Sequence, residues 1–160
     1  MSKSHSEWEI RRISNSVMAN ALGMKMPTFR AMILHPFLKS LIENSGKGIS
    51  ENRLLSCEFL FAACLAGNLS RHYTVKRAVA IVEKLFSSEE CLRPDVVSSL
   101  VDGGAFEEDI YLSILDDDDV FLGHIPQTAS YFSLNSINVT AALSAFRCYV
   151  ENFNIQQTSE

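Results

Sequence analysis

Apolar positions recur along most of the chain at spacings of three and four, the period of a helix buried on one face. Ile10, Ile13, Val17 and Ala21 mark a first helix, with Ser4 or Ser6 as its N-cap and Gly23 where a left-handed C-terminal residue belongs. Pro27 suits the first turn of a second helix carrying Phe29, Met32 and Ile33, where its missing N–H has no helical partner to lose. Pro36 interrupts that helix, because its ring removes a backbone bond and drives His35 from helical angles. A kink or two short helices are expected, the second ending near Asn44.

A third helix is expected over residues 50–66, started by Ser50 and closed by Gly67 and Asn68. Its Leu54, Leu55, Cys57, Phe59, Leu60, Phe61 and Leu65 leave Glu58 as the only charge between Arg53 and Gly67, so it belongs at the centre of the molecule. The fourth helix is the cleanest amphipath, with Val75, Ala78, Val79, Val82, Leu85 and Phe86 on one face. Pro94 opens a short helix through Val101, and residues 107–122 are expected to be helical in part. Residues 123–135 read as a loop. Ser136 or Asn138 caps a last helix striped by Ala142, Ala145, Phe146, Tyr149 and Phe153 and widened by Val139, Leu143 and Val150. No alternating strand pattern of useful length appears. The pattern predicts an all-α fold, one compact globule of about seven or eight helices around the buried 50–66 helix. It forms a single domain over residues 1–160, with polar termini (about 1–5 and 155–160) that fray.

Composition agrees with a packed core: 160 residues, 47% apolar and 21% charged, exclude a disordered tail, a collagen-like repeat and a cysteine-dense scaffold. Met1 to Glu9 is polar and lacks the apolar centre of a secretory signal. The longest apolar run, around Phe59 to Ala66, falls far short of the roughly 20 residues of a membrane span, so a cytoplasmic protein with no membrane partner is expected. Cys57, Cys64, Cys91 and Cys148 form no C-x-x-C pair and read as buried thiols, with no metal site and no cofactor implied.

Charge changes the picture more. The net of −5 hides a split: residues 1–48 hold seven bases and three acids, and residues 94–160 hold one base and eleven acids. Asp95, Asp102, Glu107, Glu108, Asp109, Asp116, Asp117, Asp118 and Asp119 place nine acids within 25 residues, with no base among them. An EF-hand spacing fails because Val120 and Phe121 stand where later ligands should fall. A solvated acidic surface is the plain reading of such a run. The sharper one is a docking surface for a basic partner, whose approach relieves the repulsion among the acids and is accelerated by their field. Tyr111 and Phe121, with Tyr131 and Phe132, are the candidate apolar anchors beside them. Direct nucleic-acid binding is not expected, because the N-terminal bases are dispersed and the acidic stretch repels phosphate.

One short motif points elsewhere. Arg30-Ala31-Met32-Ile33-Leu34-His35 is an Arg-x4-His pair that resembles the ribonuclease motif of the HEPN helical family. The resemblance covers six residues; the position after the arginine, often polar in the family, is Ala31, and Pro36 follows the histidine directly. It implies RNA cleavage with Arg30 and His35 as the site. No G-x-S-x-G elbow and no phosphate-cradling glycine loop occurs in the chain.

The reading that fits most of these features is a non-catalytic binding protein. Its most concrete form is a cytoplasmic immunity protein that neutralises a basic toxin domain, such as a nuclease, by filling the toxin's cationic groove with acids from residues 95–119. The alternatives are a HEPN-like ribonuclease using Arg30 and His35, and a helical adaptor or oligomeric regulator.

Overall fold

The computed structural model describes residues 14–45, 56–87, 110–114, 120–123 and 135–158. These form six helices and a small antiparallel sheet, in the order α1 (Asn15–Leu22), α2 (Met26–Ile33), α3 (Pro36–Ser45), α4 (Cys57–Leu69), α5 (Val75–Phe86), β1 (Tyr111–Ile114), β2 (Val120–Gly123), β3 (Asn135–Asn138) and α6 (Val139–Thr158).

Side-chain oxygens set where four of the helices begin. Ser14 Oγ accepts from Val17 N at 3.3 Å, and Ser56 Oγ accepts from Phe59 N at 3.0 Å. Thr74 Oγ1 accepts from Arg77 N at 3.2 Å, and Asn138 Oδ1 accepts from Ala141 N at 2.9 Å. Each satisfies an N–H that the first turn leaves without a helical acceptor. Two expected starts are therefore displaced. α1 is capped at Ser14 in extended backbone, not at Ser4 or Ser6. α4 is capped at extended Ser56, so no continuous helix runs from Ser50. Gly23 does end α1, with φ 70, and Pro36 does split its region into α2 and α3.

α4 is central, as its composition demands. Ten of its residues, from Phe59 to Leu69, are buried, and it packs against α1, α3, α5 and α6. It does not stop at Gly67. That glycine lies mid-helix, where a Cβ would stand 3.0 Å from Leu22 Cδ1, so it is there to let α1 approach closely. α5 buries Ala78, Val79, Ile81, Val82 and Leu85, close to the expected stripe. Phe86 stacks edge-on against Phe37 at 5.3 Å and tilts against Phe61 at 6.0 Å, which joins α3, α4 and α5.

The sheet corrects the all-α expectation. Residues 111–114 and 120–123 are not helical; they pair as β1 and β2, from Tyr111↔Gly123 to Ile114↔Val120. β3 joins the other side of β1, giving the order β2-β1-β3. Four-residue strands are too short for a period of two to stand out. Leu112, Leu122 and Ile137 share one row and one face, and α6 and α5 pack against the strands that carry them. The first residue of α6 follows the last of β3 directly, and the α6 stripe is also shifted. Val139, Leu143, Phe146 and Val150 are buried, whereas Ala145 and Tyr149 face solvent. Helix α6 continues to Thr158, beyond the point where fraying was expected.

Cys148 is exposed, which corrects its reading as a buried thiol, but Cys64 is buried in α4 with its Sγ 3.7 Å from Ala142 O. Desolvation pushes the Cys64 thiol up from 9.0 to about 12, against a smaller lowering by Arg71. Above pH 9 the unfolded thiol ionises while the folded one keeps its proton, so the folded state holds the extra proton and stability falls as pH rises toward 12. Unfolding free energies from urea titrations should decline by about 1.4 kcal/mol per pH unit between pH 9.0 and about 12 from Cys64 alone. Cys64→Ala should flatten that slope. A thiol reagent should label Cys148 in the native protein and Cys64 only after unfolding.

Candidate functional site

The acidic segment enters the sheet through β1 and β2. Their register brings Ile114 opposite Val120, so Asp116, Asp117, Asp118 and Asp119 all belong to the five-residue connection of one hairpin. The opposite end of the hairpin is bound to α6: Val139 N donates to Ile110 O at 2.7 Å, and Ile110 N donates to Thr140 Oγ1 at 2.8 Å. β1 is held on both sides, and its Leu112, Ser113 and Ile114 are all buried. The strand pair that flanks the aspartates in sequence thus has a fixed base. Neighbouring carboxylates about 6 Å apart repel by roughly 0.7 kcal/mol per pair in water, which an arriving cation would offset.

Of the other candidate residues, Asp95, Asp102, Glu107, Glu108 and Asp109 lie outside the described residues, as do the aspartates themselves. Tyr111 is half-buried and pairs with Gly123 at the end of the hairpin away from the aspartates, about 10 Å along the strand from Ile114. The backbone of Phe121 sits opposite Ser113 in the ladder. Tyr131 and Phe132 fall outside the described residues.

Arg30 is exposed in the last turn of α2, and His35 sits at the α2–α3 corner beyond it. His35 is half-buried, and its Nδ1 is enclosed without a hydrogen-bond partner among the described residues. Next to it Leu34 is 65% exposed.

A second feature was not visible as such in the sequence. The α1–α2 turn and the α4–α5 turn lie side by side and flank an open cleft of ≈ 420 Å³. Lys25 and Thr28 line it from one turn, and Ser70, Arg71 and Thr74 from the other. Arg71 Nη2 donates to Leu22 O at 3.5 Å, a long bond that orients the guanidinium toward the end of α1. The nearest signals in the sequence are the two turn segments themselves, Gly23 to Pro27 and Ser70 to Thr74, each carrying one base near a helix start. Neither Arg30 nor His35 lines this cleft.

No family profile, curated protein or solved structure matches the chain. Function therefore rests on the geometry above. Among the described residues no helix is long and apolar enough to cross a membrane, and no three His, Cys, Asp or Glu side chains group as a metal site requires.

Proposed function

We propose that the chain is a non-catalytic binding protein that captures a basic protein partner through its acidic segment. Its most specific form is a cytoplasmic immunity protein that occupies the cationic groove of a toxin domain such as a nuclease. The observation that carries this reading is the pairing of Ile114 with Val120, which leaves Asp116 to Asp119 between the ends of a hairpin anchored on α6. A rigid base matters because binding then pays little to order the loop's supports, and the attraction goes into association. The charge distribution points the same way, with eleven acids and one base after Arg93.

The mechanism is steric and electrostatic. The aspartates pair with lysines and arginines that would otherwise hold nucleic-acid phosphates, so substrate is excluded without any chemistry on the inhibitor's side. The test is association kinetics with a basic nuclease toxin domain offered as the partner. Replacing Asp116 to Asp119 together by Asn should lower the on-rate by about tenfold or more at low salt and flatten its dependence on ionic strength. An on-rate and affinity that survive the replacement unchanged would overturn the proposal. So would RNA cleavage by the purified chain that disappears in His35→Ala, which would move the function to the Arg30–His35 pair.

A further inference from the structure

We propose that the cleft between the α1–α2 and α4–α5 turns binds a small phosphate monoester, with Lys25 and Arg71 on the phosphate. This goes beyond the docking of a basic protein and uses the opposite kind of surface. The two cations reach one space from separate turns, and among the described residues no acid lines it. Two positive side chains lining a common cleft, with no acid among its described lining residues, favour an anion there. A dianionic phosphate answers both at once, and Arg71 offers it a planar set of donors beyond the one N–H directed at Leu22 O.

The backbone around the cleft is arranged to keep Arg71 there. Gly23 adopts φ 70, and a Cβ at that position would stand 3.3 Å from Arg71 Nη2. The glycine serves the left-handed turn, and the absence of a Cβ leaves Arg71 Nη2 close against it without a contact to relieve. On the other wall, Lys25 is the N-cap of α2 without a side-chain cap bond, and Pro27 has no N–H to offer. The first-turn N–H of Thr28 and its hydroxyl therefore add neutral donors on the same side as Lys25. Thr74 Oγ1 accepts from Arg77 N, which leaves its O–H to donate.

Size and the remaining wall set the rest of the ligand. A cleft of ≈ 420 Å³ falls in the range of about 300–1,000 Å³ typical of small-molecule sites and exceeds what the anion alone needs. Leu22, Met24, Tyr73 and Val75 supply apolar surface beside the two bases. The Tyr73 ring is held by Arg77, whose guanidinium carbon sits 4.8 Å from its centroid. A phosphate joined to a compact apolar or aromatic group fits this division.

The probes are phenyl phosphate, inorganic phosphate and phenol, titrated into the whole protein and followed by calorimetry and by amide chemical shifts. Phenyl phosphate should bind more tightly than inorganic phosphate by about fivefold or more, and phenol should not bind. Lys25→Gln and Arg71→Gln should each weaken phenyl phosphate by about tenfold, with shifts confined to the two turns in the parent protein. Lys39→Gln, at an exposed position of α3 outside the cleft, should leave affinity unchanged. Arg71→Gln also removes the bond to Leu22 O, so Lys25→Gln, which breaks no hydrogen bond of the cap, carries the decision if Arg71→Gln unfolds. Absence of phenyl phosphate binding at millimolar concentration, or equal loss in Lys39→Gln and Lys25→Gln, would overturn the site.

Discussion

Phe61→Ala should lower the unfolding free energy by about 4 kcal/mol. The ring is fully buried in α4, the helix around which α1, α3, α5 and α6 are arranged. Its removal takes away the transfer energy of a large aromatic side chain and leaves a cavity that neighbours can only partly fill. Those neighbours are constrained: Phe86 is already fixed by its edge contact with Phe37, so it cannot swing into the space without breaking that pair. Against a total stability of roughly 5–15 kcal/mol, the loss is a large share. Urea unfolding should show a lower midpoint with an unchanged slope, and Phe61→Leu should retain most of the stability. A loss of unfolding free energy in Phe61→Ala under about 1 kcal/mol would mean that α4 is not the packing centre.

The second large effect comes from adding atoms. Gly67→Val should cost about 2–3 kcal/mol, although glycine in a helix interior is by itself unfavourable by about 1 kcal/mol relative to alanine. Three atoms of Leu22, Cδ1, Cβ and Cδ2, would stand at 3.0, 3.2 and 3.3 Å from the first added carbon. The Leu22 Cβ cannot retreat as a side-chain tip could, because it sits directly on the backbone at the end of α1. Leu22 is itself buried, so any escape moves it into occupied space. A double-mutant cycle with Leu22→Ala isolates the contact: the two substitutions together should destabilise less than the sum of the two alone. Additive losses would show that Gly67 is not held by this approach.

The same residue shows how far the sequence could be read. A glycine followed by asparagine near the end of an apolar run looks like a helix terminator, and nothing local distinguishes that from a glycine cleared for another helix. Only the position of Leu22, distant in sequence, tells them apart. Gly23 was legible because its role is local: a left-handed residue at the end of α1. The stripe of α5 was legible because its two faces differ strongly, and the centrality of α4 because it has no polar face to expose. In α6 the stripe was misplaced by a residue or so, since Ala145 and Tyr149 are apolar enough to read as core yet lie on the outer side.

The candidate surfaces were legible to different degrees. The run Asp116 to Asp119 is plain in the sequence, but its place in a hairpin depends on pairing between two four-residue strands that carry no pattern of their own. The Lys25–Arg71 cleft needs two turns to meet, and dispersed bases in a sequence say nothing of that.

The packing of α6 on α1 and α4 has a consequence for timing. Residues 15–22 and 57–69 are made long before residues 139–150, yet Val17, Leu22 and Cys64 share one buried cluster with Val139, Leu143 and Val150. α4 is apolar on nearly every side, so the side reserved for α6 stays open until α6 has emerged and closed the long loop between Leu69 and Val139. The helices form quickly and locally, and the molecule is sealed slowly and late. Until then that apolar side of α4 lacks its cover, and transiently exposed apolar surface is where partly folded chains aggregate.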